Sequence, residues 1–194
     1  MGIETLGSGI QFIALTSVIL VVLTLGTSAW LHLTHPWLVQ TLTDHGYIPQ
    51  PFVRVIALAV PLVEAGVAAT MLAGVIVERR LLIYACLVSV TLFTVYASYQ
   101  YLLVTARRSV PCGCTGGSDI PASAWTLMRT VVLLIASILA RQLPEPPNIA
   151  ESAVLPAILA GVSLTIITWV MPEAVQATVV RSHLWSTHDR AELS

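Results

Sequence analysis

Five long apolar runs, separated by short polar or proline-rich segments, dominate the pattern of the chain. Each is close to the roughly 20 residues that a helix needs to cross the hydrocarbon core of a bilayer. A helix also satisfies its own backbone amides, as lipid requires. The pattern therefore predicts an all-α integral membrane protein. The predicted spans are about Ile10–Leu33, Val53–Val77, Leu81–Val104, Ala122–Ala140 and Ser152–Met171.

The connections between these runs carry the residues that interrupt membrane helices. The segment "THPWLVQTLTDHGYIPQP" is long enough for a short interfacial helix before Gly46, and Trp37 and Tyr47 suit the head-group zone. The chain turns at "ERR" and breaks at the prolines of "RQLPEPPN". The tail after Pro172 is polar and mixed, with Trp185 as a candidate interfacial anchor. We find no internal repeat.

The composition supports a membrane location. Of the 194 residues, 56% are hydrophobic and 10% are charged, whereas soluble domains average about 25% charged residues. All nine basic residues are arginines, and they form no basic patch of the kind that binds nucleic acid. Because no basic residue precedes Arg54, the first run is predicted to be a membrane span rather than a cleaved signal peptide. Membrane lipid is thus the first expected partner.

Two cysteines stand one residue apart in the polar loop "RRSVPCGCTGG". Gly113 allows the backbone to bend enough to join Cys112 to Cys114 in a strained, reducible disulfide. Arg107 and Arg108 on one side, and the start of the fourth span on the other, favour the thiolate form. These features favour a redox-active dithiol over a static structural pair. A metal site is the remaining alternative, although zinc sites usually have four ligands and this loop has no histidine.

Two ionisable residues lie deep in apolar runs, Glu64 in "AVPLVEAGVAA" and Arg129 in "SAWTLMRTVVLL". Charges inside a membrane are usually paired or functional. Both spans are predicted to start on the face that carries the cysteine loop, and the two depths differ by roughly 6 Å. Long side chains can bridge that distance, so we expect a Glu64–Arg129 ion pair. It would serve as a clamp between helices or as part of a proton relay.

Aromatic and amide side chains crowd the end of the third span, at Tyr96, Tyr99, Gln100 and Tyr101. Such a group is typical of an aromatic belt at the membrane interface. The alternative is a pocket for a quinone head group, with tyrosine or glutamine as donors. The candidate quinone site consists of Tyr96, Gln100 and Trp125.

The other residues with chemical potential are given structural interpretations. Cys86 is predicted to be a small apolar filler of the third span. His32, His35 and His45 lie near the interface and are expected to be amphipathic surface residues.

The chain resembles the MauE family of membrane proteins, which is related to the wider DoxX-like group. The resemblance covers about residues 10 to 142 and implies a four-helix membrane domain over residues 1–142. A fifth transmembrane helix and a polar tail occupy residues 143–194. The matching stretches are "YIPQPFVRVIALAVPLVEAGVA", "CGCTGG" and "ASAWTLMRTVVLL". The matching positions are Tyr47, Pro49, Glu64, Cys112, Cys114, Trp125 and Arg129.

The resemblance implies a membrane accessory protein for the redox maturation of a periplasmic enzyme such as an amine dehydrogenase. It would exchange thiols and disulfides through Cys112 and Cys114 with a thioredoxin-like periplasmic protein or with the client enzyme. A quinone-linked oxidoreductase activity is compatible with this role. The alternative is a structural subunit that anchors a respiratory or dehydrogenase complex, with the cysteines as a static staple. A transporter is disfavoured because no inverted repeat is evident.

The orientation rests on two opposing arguments. With the N-terminus inside, three arginines lie in the inner loops and five in the outer ones, which leans slightly against the positive-inside rule. Disulfides persist in the periplasm rather than the cytosol. We therefore expect a multi-pass protein of the inner membrane whose Cys-Gly-Cys loop faces the periplasm.

Overall fold

The structure, a computed structural model, describes residues 2–35, 37–106, 123–143 and 151–192. Within these ranges the side chains of residues 2–6, 37, 172–173 and 175–192 are not described. The described residues are helical throughout, apart from short turns and helix ends. The helices are α1 (Gly2–Thr34), α2 (Trp37–His45), α3 (Gln50–Ile76), α4 (Arg79–Thr105), α5 (Ala124–Ala140) and α6 (Glu151–Glu192).

The helices confirm the all-α membrane architecture. Within the described ranges, four are long and apolar enough to cross a membrane, namely parts of α1 and α6 and the whole of α3 and α4. The fifth predicted span, α5, has 17 residues and is therefore about 26 Å long, somewhat less than the roughly 30 Å of hydrocarbon. The interfacial helix expected before Gly46 is α2.

The last helix is longer than the hydrophobic pattern suggested. We expected the fifth span to end near Met171, yet α6 continues through Pro172 to Glu192. The residues after Pro172 include good helix formers such as alanine, glutamate and glutamine, and none of them is glycine or proline. The apolar pattern marked where the hydrophobic segment ends, whereas the helix itself continues beyond it.

Helix α1 lies at the centre of the bundle. It packs against α3, α5 and α6, while α4 packs between α3 and α5, and α2 covers the start of α3. The core contains small side chains such as Ala14, Ala85 and Ala136, which allow helices to approach closely in a membrane. Large apolar side chains such as Trp30 and Leu155 are exposed on the outside, where lipid is the solvent.

Two glycines allow helices to touch. A Cβ at Gly74 would collide with the backbone of Leu82 where α3 turns into α4, with Leu82 Cα 2.6 Å away. A Cβ at Gly161 of α6 would lie 2.6 Å from Ile19 Cγ2 and 3.2 Å from the carbonyl oxygen of Thr16, both on α1. Gly161 therefore fixes the contact that joins α6 to the rest of the bundle.

Substituting Gly161 with alanine is expected to weaken the docking of α6 on α1. The added methyl group meets the branched side chain of Ile19, which is stiff in a helix, and overpacking of this kind destabilises by about 1 to 3 kcal/mol. The free energy of unfolding in detergent micelles measures the effect. The matched control is Gly26→Ala in α1, where a Cβ meets nothing within 4 Å and helix propensity should improve. Equal stability of the two variants would contradict the close contact.

Candidate functional site

The carboxylate of Glu64 is the centre of a polar cluster inside the bundle. Glu64 is 1% exposed. The hydroxyl of Tyr96 donates a hydrogen bond to its Oε1 at 2.8 Å, and the hydroxyl of Ser28 donates to the same oxygen at 3.2 Å. The Nδ1 atom of His32 lies 3.3 Å from Oε2. A buried carboxylate needs such partners, because transfer from water without them is very unfavourable.

Three helices position this cluster. Ser28 and His32 lie four residues apart on α1 and so share one face of that helix. Glu64 faces them from α3, and Tyr96 closes the cluster from α4. The side chain of His32 is 5% exposed. The cluster therefore joins α1, α3 and α4 through hydrogen bonds. Such bonds matter in a membrane because lipid is as apolar as the side chains, so the hydrophobic effect does not drive the helices together.

Arg129 has a partner on α6. It is 9% exposed, and its guanidinium carbon lies 4.5 Å from the centre of the Trp169 ring. This geometry is a cation–π contact. It brings a residue outside the region of family resemblance into contact with the buried Arg129, because Trp169 lies on α6.

Glu64 and Arg129 line the same small cavity, which we call the inner cavity. Ser28, His32 and Tyr96 contact the Glu64 carboxylate, and the expected ion pair with Arg129 stays a prediction. The hydroxyl of Thr24 is buried there without a hydrogen-bond partner among the described residues. The inner cavity measures about 40 Å³ and is lined by Thr24, Leu25, Ser28, Glu64, Phe93, Tyr96, Gln100, Thr126, Arg129, Thr130 and Leu133.

A second and larger cavity lies under α2, and we call it the interfacial cavity. It measures about 290 Å³ and shares Ser28, Glu64 and Tyr96 with the inner cavity. Its walls are mainly aliphatic, and its polar groups include two histidines and two tyrosines. Its lining is Ser28, His32, Leu38, Thr41, Leu42, His45, Ile48, Ile56, Val60, Glu64, Val95, Tyr96 and Tyr99.

His45 and Tyr99 form the second polar group of the interfacial cavity. His45 is 1% exposed, and its Nδ1 lies 2.6 Å from the hydroxyl of Tyr99. Tyr47 meets the ring of Tyr99 edge-on, with centroids 6.4 Å apart. Gly46 follows α2 with a φ of 68°, a conformation that suits glycine. The turn at Gly46 thus lets α2 cover the cavity before α3 begins.

The candidate quinone-site residues are distributed over different places. Tyr96 lines both cavities, and Gln100 lines the inner one, where its Oε1 accepts a hydrogen bond from Thr130 at 2.8 Å. Trp125, on α5, is 39% exposed and does not belong to the described lining of either cavity. Tyr101 is exposed, as an interfacial belt residue should be.

The expectation for two of the histidines is wrong. His32 and His45 were expected on an amphipathic surface, yet both side chains are buried and both line the interfacial cavity. Only His35 of the three is exposed. The four-residue spacing of Ser28 and His32, which puts both on one face of α1, was the signal that could have indicated the burial of His32. The burial of His45 had no such signal in the sequence and follows only from the fold, because α2 turns back over α3. Within the described ranges, no cluster of three His, Cys, Asp or Glu side chains suits a metal.

The three cysteines fall into two groups. Cys86 is 1% exposed and belongs to the apolar core, in agreement with its interpretation as a filler. Cys112 and Cys114, with Arg107 and Arg108, lie outside the described residues. The described chain ends before them at Ala106 and resumes after them at Ser123.

The fold and the buried carboxylate cluster define a multi-pass helical membrane protein with a polar cluster in its interior. Residues 10–142 match the family described as "Methylamine utilisation protein MauE". Since this match covers more than half of the chain, the protein belongs to the MauE family. No curated protein and no solved structure matches the chain.

Proposed function

We propose that this MauE-family protein performs thiol–disulfide exchange through Cys112 and Cys114. One thiolate attacks a disulfide of a partner protein, a mixed disulfide forms, and the neighbouring thiol resolves it. The exchange would support disulfide formation in a periplasmic enzyme such as an amine dehydrogenase. The family description, methylamine utilisation, supports this class of client. The loop would then face the periplasm, with the N-terminus of α1 in the cytoplasm.

The observation that carries the proposal is the position of the polar cluster relative to the loop. Gln100, near the end of α4, and Thr126, in the first turn of α5, line the same cavity as Glu64. The segment that contains both cysteines joins these two helix ends. Two residues of the cavity that contains the carboxylate, Gln100 and Thr126, thus lie within about two helical turns of Ala106 and Ser123, which flank the loop.

We further propose that Glu64 and Arg129 are paired through the inner cavity. About 40 Å³ is enough for one ordered water, which needs roughly 10 to 15 Å³. The polar lining suits a water that bridges the two charged groups, as does the hydroxyl of Thr24, which has no hydrogen-bond partner among the described residues. Water-mediated contacts of this kind are nearly as favourable as direct hydrogen bonds.

A trapping experiment tests the thiol–disulfide proposal. Of Cys112→Ser and Cys114→Ser, expressed separately, the variant that keeps the attacking cysteine should accumulate a mixed disulfide with a thioredoxin-like partner on non-reducing gels, because the resolving thiol is missing. The double variant should form none and should lose enzyme maturation. An impermeant maleimide applied to intact spheroplasts should label both loop thiols.

Cys86 is the internal control in this experiment, because its burial in the core should keep it unlabelled. Normal maturation in the double variant would favour the alternative of a structural subunit with a static cysteine pair. Labelling only after the membrane is opened would place the loop in the cytosol and contradict the periplasmic orientation.

A further inference from the structure

The interfacial cavity has the form of a site for a molecule that is apolar along its length and polar at its head. Aliphatic side chains of α2, α3 and α4 make most of its wall, including Leu42, Val60 and Val95. Its volume of about 290 Å³ is close to the lower end of the range for small-molecule sites, roughly 300 to 1,000 Å³. A head group of one or two rings fits that volume, with an attached chain outside it.

One wall of the cavity opens towards lipid. Val95 lines the cavity from α4 and is nevertheless 58% exposed, while Ile56 and Val60 on α3 are partly exposed. Both helices are long enough to span the membrane, so the gap between them faces hydrocarbon. A ligand would therefore reach the cavity sideways from the bilayer.

The polar groups of the cavity lie in two separate sets. One set is His32, Glu64 and Tyr96, which are connected by hydrogen bonds. The other is His45 and Tyr99, joined at 2.6 Å. A histidine ring N–H group can donate to a carbonyl oxygen, and each set contains one histidine. Two sets at different places suit a head group that carries an acceptor oxygen on each side of a ring.

We propose that the interfacial cavity binds the head group of a lipid-soluble quinone, the electron acceptor for the cysteine pair. This inference rests on the proposed thiol–disulfide function. Two thiols lose two electrons and two protons when their S–S bond forms, and the quinone gains both to become a hydroquinone, so atoms and electrons balance. The Glu64 cluster lies where protons can be passed to the reduced ring. A fatty acid or anionic phospholipid fits less well, because its negative head group would meet the buried carboxylate of Glu64.

The test uses the full-length protein in nanodiscs of neutral phospholipid and a short-chain benzoquinone that carries a photoreactive azido group. We expect labelled peptides from α2, α3 and α4. Val60→Trp fills the cavity and should lower quinone affinity by about tenfold or more. The control is Val55→Trp on the same helix, which is 63% exposed and should bind as the wild type does.

A second variant covers the case in which Val60→Trp does not fold. Tyr99→Phe removes one hydroxyl from the cavity while preserving its ring, and it should also weaken binding. Unchanged affinity in both variants, labelling elsewhere, or competition by oleate rather than by unlabelled quinone would overturn the proposal.

The outcome can be separated from that of the thiol–disulfide function. The quinone should still bind the double variant Cys112→Ser/Cys114→Ser, because each substitution only replaces a sulfur with an oxygen and every described lining residue stays unchanged. Mixed disulfides without quinone binding would leave the exchange function intact and remove only the cavity proposal. Quinone binding without mixed disulfides would remove the exchange function instead.

Discussion

Glu64→Leu is expected to lower the free energy of unfolding by about 3 to 5 kcal/mol. The substitution removes the acceptor of hydrogen bonds from Ser28 and Tyr96 and the partner of His32. A buried donor that loses its acceptor costs about 1 to 3 kcal/mol, and here several are affected together. Unfolding of the detergent-solubilised protein by titration with a denaturing detergent measures the effect.

Two variants show whether the loss belongs to the cluster. Glu64→Gln retains an oxygen that can accept from Ser28 and Tyr96, so it should recover more than half of the stability. Glu78→Gln is the surface control, because Glu78 is exposed and its contact with Arg80 is 3.8 Å long. Exposed pairs of this kind contribute roughly 0 to 1 kcal/mol. If Glu64→Leu were as stable as Glu78→Gln, the carboxylate would not hold the three helices together.

Arg129→Met is expected to destabilise the protein by about 2 to 4 kcal/mol, the second largest effect. The change removes the cation above Trp169, worth about 0.5 to 2 kcal/mol, and it leaves Glu64 without the nearby positive charge that we propose. Removing one partner of a buried ion pair is strongly unfavourable because the other stays uncompensated. The same unfolding titration measures this effect.

A double-mutant cycle separates the two contributions. In the cycle of Glu64→Gln with Arg129→Gln, coupling of about 1 kcal/mol or more is expected if the inner cavity connects the two groups. In the cycle of Trp169→Leu with Arg129→Gln, a smaller coupling should report the ring contact. Additive effects in the first cycle would mean that Glu64 and Arg129 stabilise the protein independently, although both line the inner cavity.

The sequence predicted the membrane helices well because their lengths follow from the thickness of the bilayer. The bounds of α3 and α4 differ by only a few residues from the apolar runs. Because charge is rare inside the membrane, the hydropathy pattern also identified Glu64 and Arg129 as residues of interest. The MauE resemblance relates these two residues to the cysteine loop that lies between them along the chain. The family match over residues 10–142 confirms the resemblance to the MauE family.

The sequence was less informative about which side chains meet. It indicated an amphipathic surface for His45, whereas the fold buries that residue, the last of α2, where it lines the interfacial cavity. It offered no partner for Arg129 beyond Glu64, and α6 supplies Trp169. It grouped Trp125 with Tyr96 as a candidate quinone site, and this grouping stays a prediction: Trp125 is partly exposed and directly precedes Thr126, which lines the inner cavity.

The sequence by itself determined that this protein is a helical membrane protein of the MauE family with two charges in its apolar spans. Only the tertiary structure decided that Ser28, His32 and Tyr96 surround Glu64, that α6 packs on α1 at Gly161, and that two cavities meet at the carboxylate. The physical reason is that a membrane helix is apolar on every side. Lipid accepts the same apolar residues as the protein core does. The hydrophobic pattern therefore predicts the length of each helix but not which of its faces packs against the other helices.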